Sequence, residues 1–262
     1  MNIIAKTKHR ILVSIQIRLS RIWRDTPFFI QSQMDIHPNS EWYSAEFAER
    51  TGGFFPKDGS ENCEIVDHDS WDGVRRDMML LLLKSIEDRR VPGRFAELGV
   101  YKGGTAQLIH MYSPNRELEL FDTFEGFDRR DMQDDEEKAG HIVDEALFKD
   151  TGLELVKLAI ASKNDNVHFH KGFFPESFPP ALAGESFAFV HLDADLYAPI
   201  LAGLKLFYPL LSGGGFLVVH DYNAWIGARQ AVDEFSSERG LIPIPMPDKS
   251  GSCIFVKPFS TL

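Results

Sequence analysis

From about Ser70 onward, short apolar runs alternate with helical patterns, and this alternation limits the fold more than any other feature of the chain. Strand-length runs lie at Arg94–Leu98, Glu117–Phe121, Asn166–His170, Phe187–Leu192 and Gly215–Val219. Helical spacing lies between them at Gly104–Met111, Leu153–Ala161, Pro199–Leu210 and Ala224–Arg239. An earlier helix is expected over roughly 71–90, with Ser70 as its cap and Pro92-Gly93 beyond its end. Strands alternating with helices in this way run parallel and are covered on both faces. The tail differs. Leu241–Met246, a turn at Pro247–Gly251 and Ser252–Lys257 predict a hairpin, which adds an antiparallel edge to a mostly parallel sheet of seven strands.

Composition narrows the class. In 262 residues, 39 acids outnumber 28 bases, giving a net charge of −11. An acidic surface is wrong for a sequence-independent nucleic-acid binder, which needs cations against the phosphates. Cys63 and Cys253 form no CxxC, so a disulfide scaffold and a cysteine zinc site are excluded, and a reducing, cytoplasmic setting fits. Residues 1–24 carry six cations and no acid, leaving 22 cations against 39 acids in the rest. Apolar residues recur at helical spacing within this arm, which predicts packing on its own domain or on a second subunit. Contact with an anionic membrane surface is the less favoured reading. Residues 25–70 read as an irregular cap with some helix near 41–50.

The first strand ends in Glu97-Leu98-Gly99-Val100-Tyr101-Lys102-Gly103-Gly104-Thr105, followed by a helix. Glycines there let a ligand approach the backbone, and open α/β sheets bind ligands at this edge. The pattern is neither GxGxxG nor a P-loop, so dinucleotide and triphosphate fingerprints are absent. Glu97 would be a poor neighbour for a pyrophosphate and a good one for a cation such as an α-amino group. The second strand ends in Asp122, an acid suited to ribose hydroxyls, and Thr123, Phe124 and Phe127 follow, the aromatics placed to pack on a base. A loop at Lys171-Gly172-Phe173-Phe174-Pro175 could flank that base. In this order the pieces favour an S-adenosylmethionine site built from Glu97, Gly99, Tyr101, Gly103, Thr105, Asp122, Thr123, Phe124, Gly172, Phe173 and Asp193.

A second group lies at the same edge. The fourth strand ends in His191-Leu192-Asp193-Ala194-Asp195 and the fifth in Val219-His220-Asp221-Tyr222. If the fourth strand continues far enough, Asp193 and Asp195 share a face. Asp193, His220 and Asp221 then converge as ligands for Mg²⁺, which would activate a hydroxyl while a nearby carboxylate takes its proton. The competing reading makes Asp195 and Asp221 helix caps and His220 a core residue.

Glu97-Leu-Gly-Val-Tyr-Lys-Gly-Gly104, Phe121-Asp-Thr-Phe-Glu-Gly-Phe127, Leu192-Asp-Ala-Asp-Leu-Tyr197, Tyr208-Pro-Leu-Leu-Ser-Gly-Gly-Gly215 and His220-Asp-Tyr222 with Ala231-Val-Asp-Glu-Phe235 together resemble the macrocin O-methyltransferase (TylF/MycF) family over about residues 70–258. The resemblance implies a class I methyltransferase (Rossmann-like) fold that uses S-adenosylmethionine and Mg²⁺ and methylates a hydroxyl on a sugar or glycosylated metabolite, often as an oligomer. It implies Asp193 and Asp221 as metal ligands and Asp195 as the general base. Where the best-known members have Asp-Asp-Tyr, this chain has His220-Asp221-Tyr222, and a neutral ring nitrogen is a poorer partner for Mg²⁺ than a carboxylate. His220 is then a third ligand, or the site binds metal weakly, or it works without one. Other readings are a methyltransferase for phenolic or other small-molecule hydroxyls, a nucleotide-cofactor oxidoreductase, and a non-catalytic S-adenosylmethionine-binding protein.

Residues 71–262 are thus expected to form the methyltransferase domain, interrupted by an unusual crossover. Residues 125–150 hold ten acids and four bases, read as a solvated loop or as a lid over the site.

Overall fold

The computed structural model describes residues 72–160 and 165–259, so the expectations for the arm at 1–24, the cap at 25–70 and Ser70 concern residues outside that range. The first described helix is capped by Asp72, whose side chain accepts from the Arg75 N–H at 3.1 Å, and α1 follows over Gly73–Asp88. An acceptor at this position satisfies a backbone donor that the helix itself cannot.

Beyond it come β1 (Arg94–Leu98), α2 (Gly104–Tyr112), β2 (Leu118–Asp122), α3 (Arg129–Ala139), α4 (Leu153–Ile160), β3 (Val167–Lys171), β4 (Phe187–Leu192), α5 (Tyr197–Leu210), β5 (Leu211–Val219), α6 (Ile226–Arg239), β6 (Ile244–Pro245) and β7 (Cys253–Val256). The seven strands lie in the order β3-β2-β1-β4-β5-β7-β6. Pairing is parallel from β3 to β5 and antiparallel at β7 and β6. The predicted strands and terminal hairpin are therefore present. β5 begins four residues earlier than expected, because Leu211 already pairs with Phe187 ahead of Gly213, Gly214 and Gly215.

Period-two alternation sends neighbouring strand residues into two cores. On one face Leu98, Leu192 and Val219 pack with Ile200, Leu204, Phe207, Ala231 and Phe235 of α5 and α6. On the other, Phe95, Phe189 and Val218 pack with Met79, Leu83, Ala106, Ile109 and Val156 of α1, α2 and α4. Phe207 anchors the first core, stacked on Phe174 and meeting Phe121, Phe178 and Phe187 edge-on. Truncating it to alanine would cost about 3–5 kcal/mol. No helix among the described residues is long and apolar enough to cross a membrane.

The acidic crossover departs from the solvated loop expected of it. Asp128 caps α3, Gly140 ends it in the left-handed conformation, and Asp135 is fully buried. One Asp135 oxygen accepts from the Tyr197 N–H at 2.9 Å, at the first residue of α5, and the other lies 3.0 Å from His141 Nδ1. A carboxylate at a helix N-terminus is favoured by the helix dipole. The crossover is thereby fastened to the helix that follows Asp195.

Strand order reverses between β1 and β4, which is where open α/β sheets leave a crevice at their carboxyl ends.

Candidate active site

A cavity of about 600 Å³ lies over this crevice, walled by the ends of β1, β2, β4 and β5 and by the crossover. At its β1–β2 end the backbone does most of the shaping. Gly99 has φ +87°, and a Cβ there would lie 2.1 Å from the Asp193 carbonyl oxygen. The glycine is thus demanded by the neighbouring strand end before any ligand arrives. Gly103 also has a positive φ and presses toward Val156, whereas a Cβ at Gly104 would meet no atom within 4 Å, and Gly104 lines the cavity.

Asp122 organises the turns around it. Its carboxylate accepts from the N–H groups of Val100 at 2.6 Å, Tyr101 at 3.0 Å and Phe124 at 2.6 Å. The Thr123 hydroxyl has one hydrogen, and Gly126 O takes it at 2.5 Å. A carboxylate offers about four acceptor positions. One position of Asp122 is therefore left, and the residue lines the cavity. Tyr101, Thr105, Thr123 and Gly172 also line it. Phe124 does not: it is buried in the core beside Phe169, away from the base-stacking part expected of it, and Phe127, Phe148 and Phe174 are the phenylalanines at the wall. Phe173 lies outside the wall as well, covered by the Arg130 guanidinium 3.5 Å from its ring.

Glu97 lines the cavity from full burial. Its Oε1 lies 2.9 Å from His191 Nδ1, and its Oε2 has no partner. Burial, reinforced by Asp193, holds its carboxyl well above the usual carboxylate range. Burial likewise pushes His191 down to about 4, so the ring is neutral. An orphaned buried carboxylate oxygen is costly unless a ligand donor meets it. His191 stood in a recognised motif, two residues from Asp193, without an assigned part; its role is to seat Glu97.

At the β4–β5 end, side chains do the shaping. β4 stops at Leu192, so the shared strand face expected for Asp193 and Asp195 is absent. Both still line the cavity, and Asp195 at φ +59° and Asp221 at φ +57° take left-handed conformations uncommon for residues other than glycine. Burial comes first, with the Asp193 charge and a hydrogen bond to Asp221, in holding Asp195 well above the carboxylate range. Neither Asp195 nor Asp221 caps a helix: Leu196 and Trp225 hold the positions before α5 and α6.

The three expected metal ligands do meet, with ligand atoms of Asp193, His220 and Asp221 within 4.8 Å of one another. His220 Nδ1 sits 2.7 Å from Asp193 Oδ1 and 3.1 Å from Asp221 Oδ2. Arg75, from the first turn of α1, places Nη1 3.0 Å from His220 Nε2 and 3.7 Å from Asp193 Oδ2. A guanidinium only donates, so Nε2 accepts from Arg75 and Nδ1 carries the hydrogen that goes to Asp193. Burial resists charging His220, but Asp193 and the hydrogen bonds to both acids outweigh it and lift the ring to about 10, with Arg75 opposing. That lift favours imidazolium, whereas the Arg75 contact favours the neutral ring; both forms carry a hydrogen on Nδ1. Asp193 is held far below the usual range: burial works against it, but His220 and Arg75 prevail.

Among the cavity residues that escaped sequence reasoning as individuals, Arg75 and Asp131 carry charge. Arg75 lies 145 positions from His220, and no local pattern links them. Asp131, one turn after the Asp128 cap, is 7% exposed with an unpartnered Oδ1, and burial together with Asp128 and Asp134 raises it to about 7.

The sequence profile described as macrocin-O-methyltransferase (TylF) matches residues 72–257. The chain belongs to that family. It is 31% identical over 162 residues to the mycinamicin III 3''-O-methyltransferase of Micromonospora griseorubida, covering 58% of this chain and 63% of that enzyme, just under two thirds of its length. It is 28% identical over 199 residues to the 8-demethyl-8-(2,3-dimethoxy-alpha-L-rhamnosyl)-tetracenomycin-C 4'-O-methyltransferase of Streptomyces olivaceus, covering 70% of this chain and 73% of that one. The solved structure of the O-methyltransferase NovP superposes with a TM-score of 0.61 at 21% identity, over 71% of this chain and 80% of that chain. That likeness shows the fold, a class I methyltransferase sheet with its antiparallel end.

Proposed function

We propose that the chain is an S-adenosylmethionine-dependent O-methyltransferase acting on a hydroxyl of a sugar or glycosylated metabolite. One observation carries the reading: a single cavity joins an amine-accepting carboxylate, Glu97 with its orphaned Oε2, to a group of acids placed to take a proton. The family membership and the two relatives, one of them named for 4'-O-methylation of a rhamnosyl-bearing compound, support the substrate class.

When bound, S-adenosylmethionine supplies a methyl group on a positively charged sulfur, open to attack by an oxygen in line with the C–S bond. Glu97 would hold the amino group, the free acceptor position of Asp122 would take a ribose hydroxyl, and Gly104 would leave room beside the helix N-terminus. Asp195 would take the proton from the acceptor hydroxyl. For that task Asp195 must first lose the proton it shares with Asp221. Residues 125–150 contribute Phe127, Asp131 and Phe148 to the cavity wall, where they would meet the acceptor. The Mg²⁺ expected at Asp193, His220 and Asp221 does not fit the donor set as it stands, because His220 turns a hydrogen toward both carboxylates.

Calorimetry with S-adenosylhomocysteine, followed by methyl-transfer assays on glycosylated natural products and on simple phenols, tests the proposal. Micromolar binding with turnover on the glycosylated set is expected. Turnover confined to phenols would overturn the substrate class, and binding without any turnover would favour a non-catalytic protein.

A further inference from the structure

The acid-rich end of the cavity is assembled around positive charge that the chain itself supplies. Three ligand atoms stand close enough to share a metal, but coordination requires each to direct a lone pair at the ion. His220 Nδ1 directs a hydrogen at Asp193 Oδ1 and Asp221 Oδ2 instead. Moving that hydrogen to Nε2 would set it head-on against the Arg75 N–H donor 3.0 Å away. Metal binding would therefore break the Asp193 contact and the Arg75 contact together. A second obstacle is charge: the guanidinium lies 3.7 Å from Asp193 Oδ2, so a dication on that carboxylate would face a like charge at close range.

Arg75 is also well placed for what the cation would have done. It lines the cavity beside Asp193, Asp195 and Asp221. Its backbone N–H is held by the Asp72 cap, so its starting point on α1 is fixed. A guanidinium aimed at an oxygen that gains negative charge stabilises it without a metal, as pre-placed donors do in other sites.

We propose that Arg75, seated through His220 on Asp193 and Asp221, takes the electrostatic place of a divalent cation, so that this chain handles its acceptor hydroxyl without one. The catalytic half rests on the methyl-transfer reading above; the binding half stands on the charge arrangement alone. On this reading His220 is a seat for Arg75 rather than a third Mg²⁺ ligand.

The test is a titration of the full-length protein, stripped with EDTA, with Mn²⁺ followed by electron paramagnetic resonance, with and without S-adenosylhomocysteine. Wild type is expected to show no stoichiometric site at millimolar Mn²⁺, and the double variant His220→Asp with Arg75→Ala to gain one. Stoichiometric binding by wild type overturns the proposal, and so does a folded double variant that binds no Mn²⁺. If the double variant fails to fold, the wild-type titration decides alone. Once an acceptor is in hand, EDTA should leave the wild-type rate unchanged, Arg75→Ala should lower it about 100-fold, and Arg75→Lys should recover part of that loss. A wild type silenced by EDTA and restored by Mg²⁺ overturns the proposal as well. Absence of S-adenosylhomocysteine binding would instead sink the methyl-transfer reading, and the Mn²⁺ titration would still decide this one.

Discussion

The two ends of the cavity are built by different means. At the β1–β2 end, backbone amides set the shape: three N–H groups converge on Asp122, and Gly99 lets two strand ends touch. One side chain, Glu97, is left with an unmet oxygen. At the β4–β5 end, side chains set the shape: Asp193, His220, Asp221 and Arg75 pair with one another on a backbone twice bent into the left-handed region. The first end holds a form ready for a ligand of fixed chemistry. The second balances its charges internally, so one substitution there alters the state of every neighbour.

The sharpest way to separate the ends is Asp195→Ala. Methyl transfer should fall about 1,000-fold, while calorimetric affinity for S-adenosylhomocysteine stays at the wild-type value. Equal loss of both would mean that the ends are not separable. Glu97→Gln is the converse. It should weaken S-adenosylhomocysteine binding about 10- to 100-fold, as removal of a hydrogen bond to a charged group does. Burial and the Asp193 charge raise the Glu97 carboxyl well above its ordinary range, and an amino cation arriving beside it draws it back down, so binding is expected to release protons. Wild-type binding heats should then differ between buffers of different ionisation enthalpy, and the variant should lose that difference.

A smaller effect is expected at the outer wall. Asp131→Asn should raise the acceptor KM about tenfold with kcat little changed. Its stability effect has a definite sign. The folded pKa of about 7 lies above the ordinary 3.8, so the folded state binds the extra proton and wild-type stability falls as pH rises from about 4 to 7. The variant should lack that decline, read as a flatter Tm against pH. Least of all, Asp135→Ala should lower Tm by several degrees through the lost cap on α5, worth about 1–3 kcal/mol. An unchanged Tm would mean that the crossover is not fastened there. The pH profile joins the two ends: kcat should rise with pH as the Asp195–Asp221 pair gives up its shared proton, since burial has raised that group and a base must be free of it.

Sequence reading recovered what repeats locally. β1 and β4 start and stop where the sequence places them, because apolar runs between breakers are short-range signals, and Glu97, Asp122, Asp193 and Asp221 draw notice because they lie at or just past strand ends. The helix α3 was missed because Arg129–Ala139 has no apolar stripe; it is held by its caps and by one buried acid meeting another helix. Phe124 was misplaced because an aromatic two residues past a strand reads alike whether it turns outward or into the core. Arg75 was invisible for a plainer reason: its partner is 145 residues away. Residues 1–71 add nothing to this comparison, since they lie outside the described range.

The left-handed turns at Asp195 and Asp221 carry an implication for how such a chain would age. At both positions the backbone suits glycine or asparagine, and each acid there costs about 1–3 kcal/mol. Selection for heat tolerance alone would replace them. In a lineage that no longer used the reaction, the first substitutions to spread at these sites would make the protein hardier, and a gain in melting temperature would mark the moment its chemistry was abandoned.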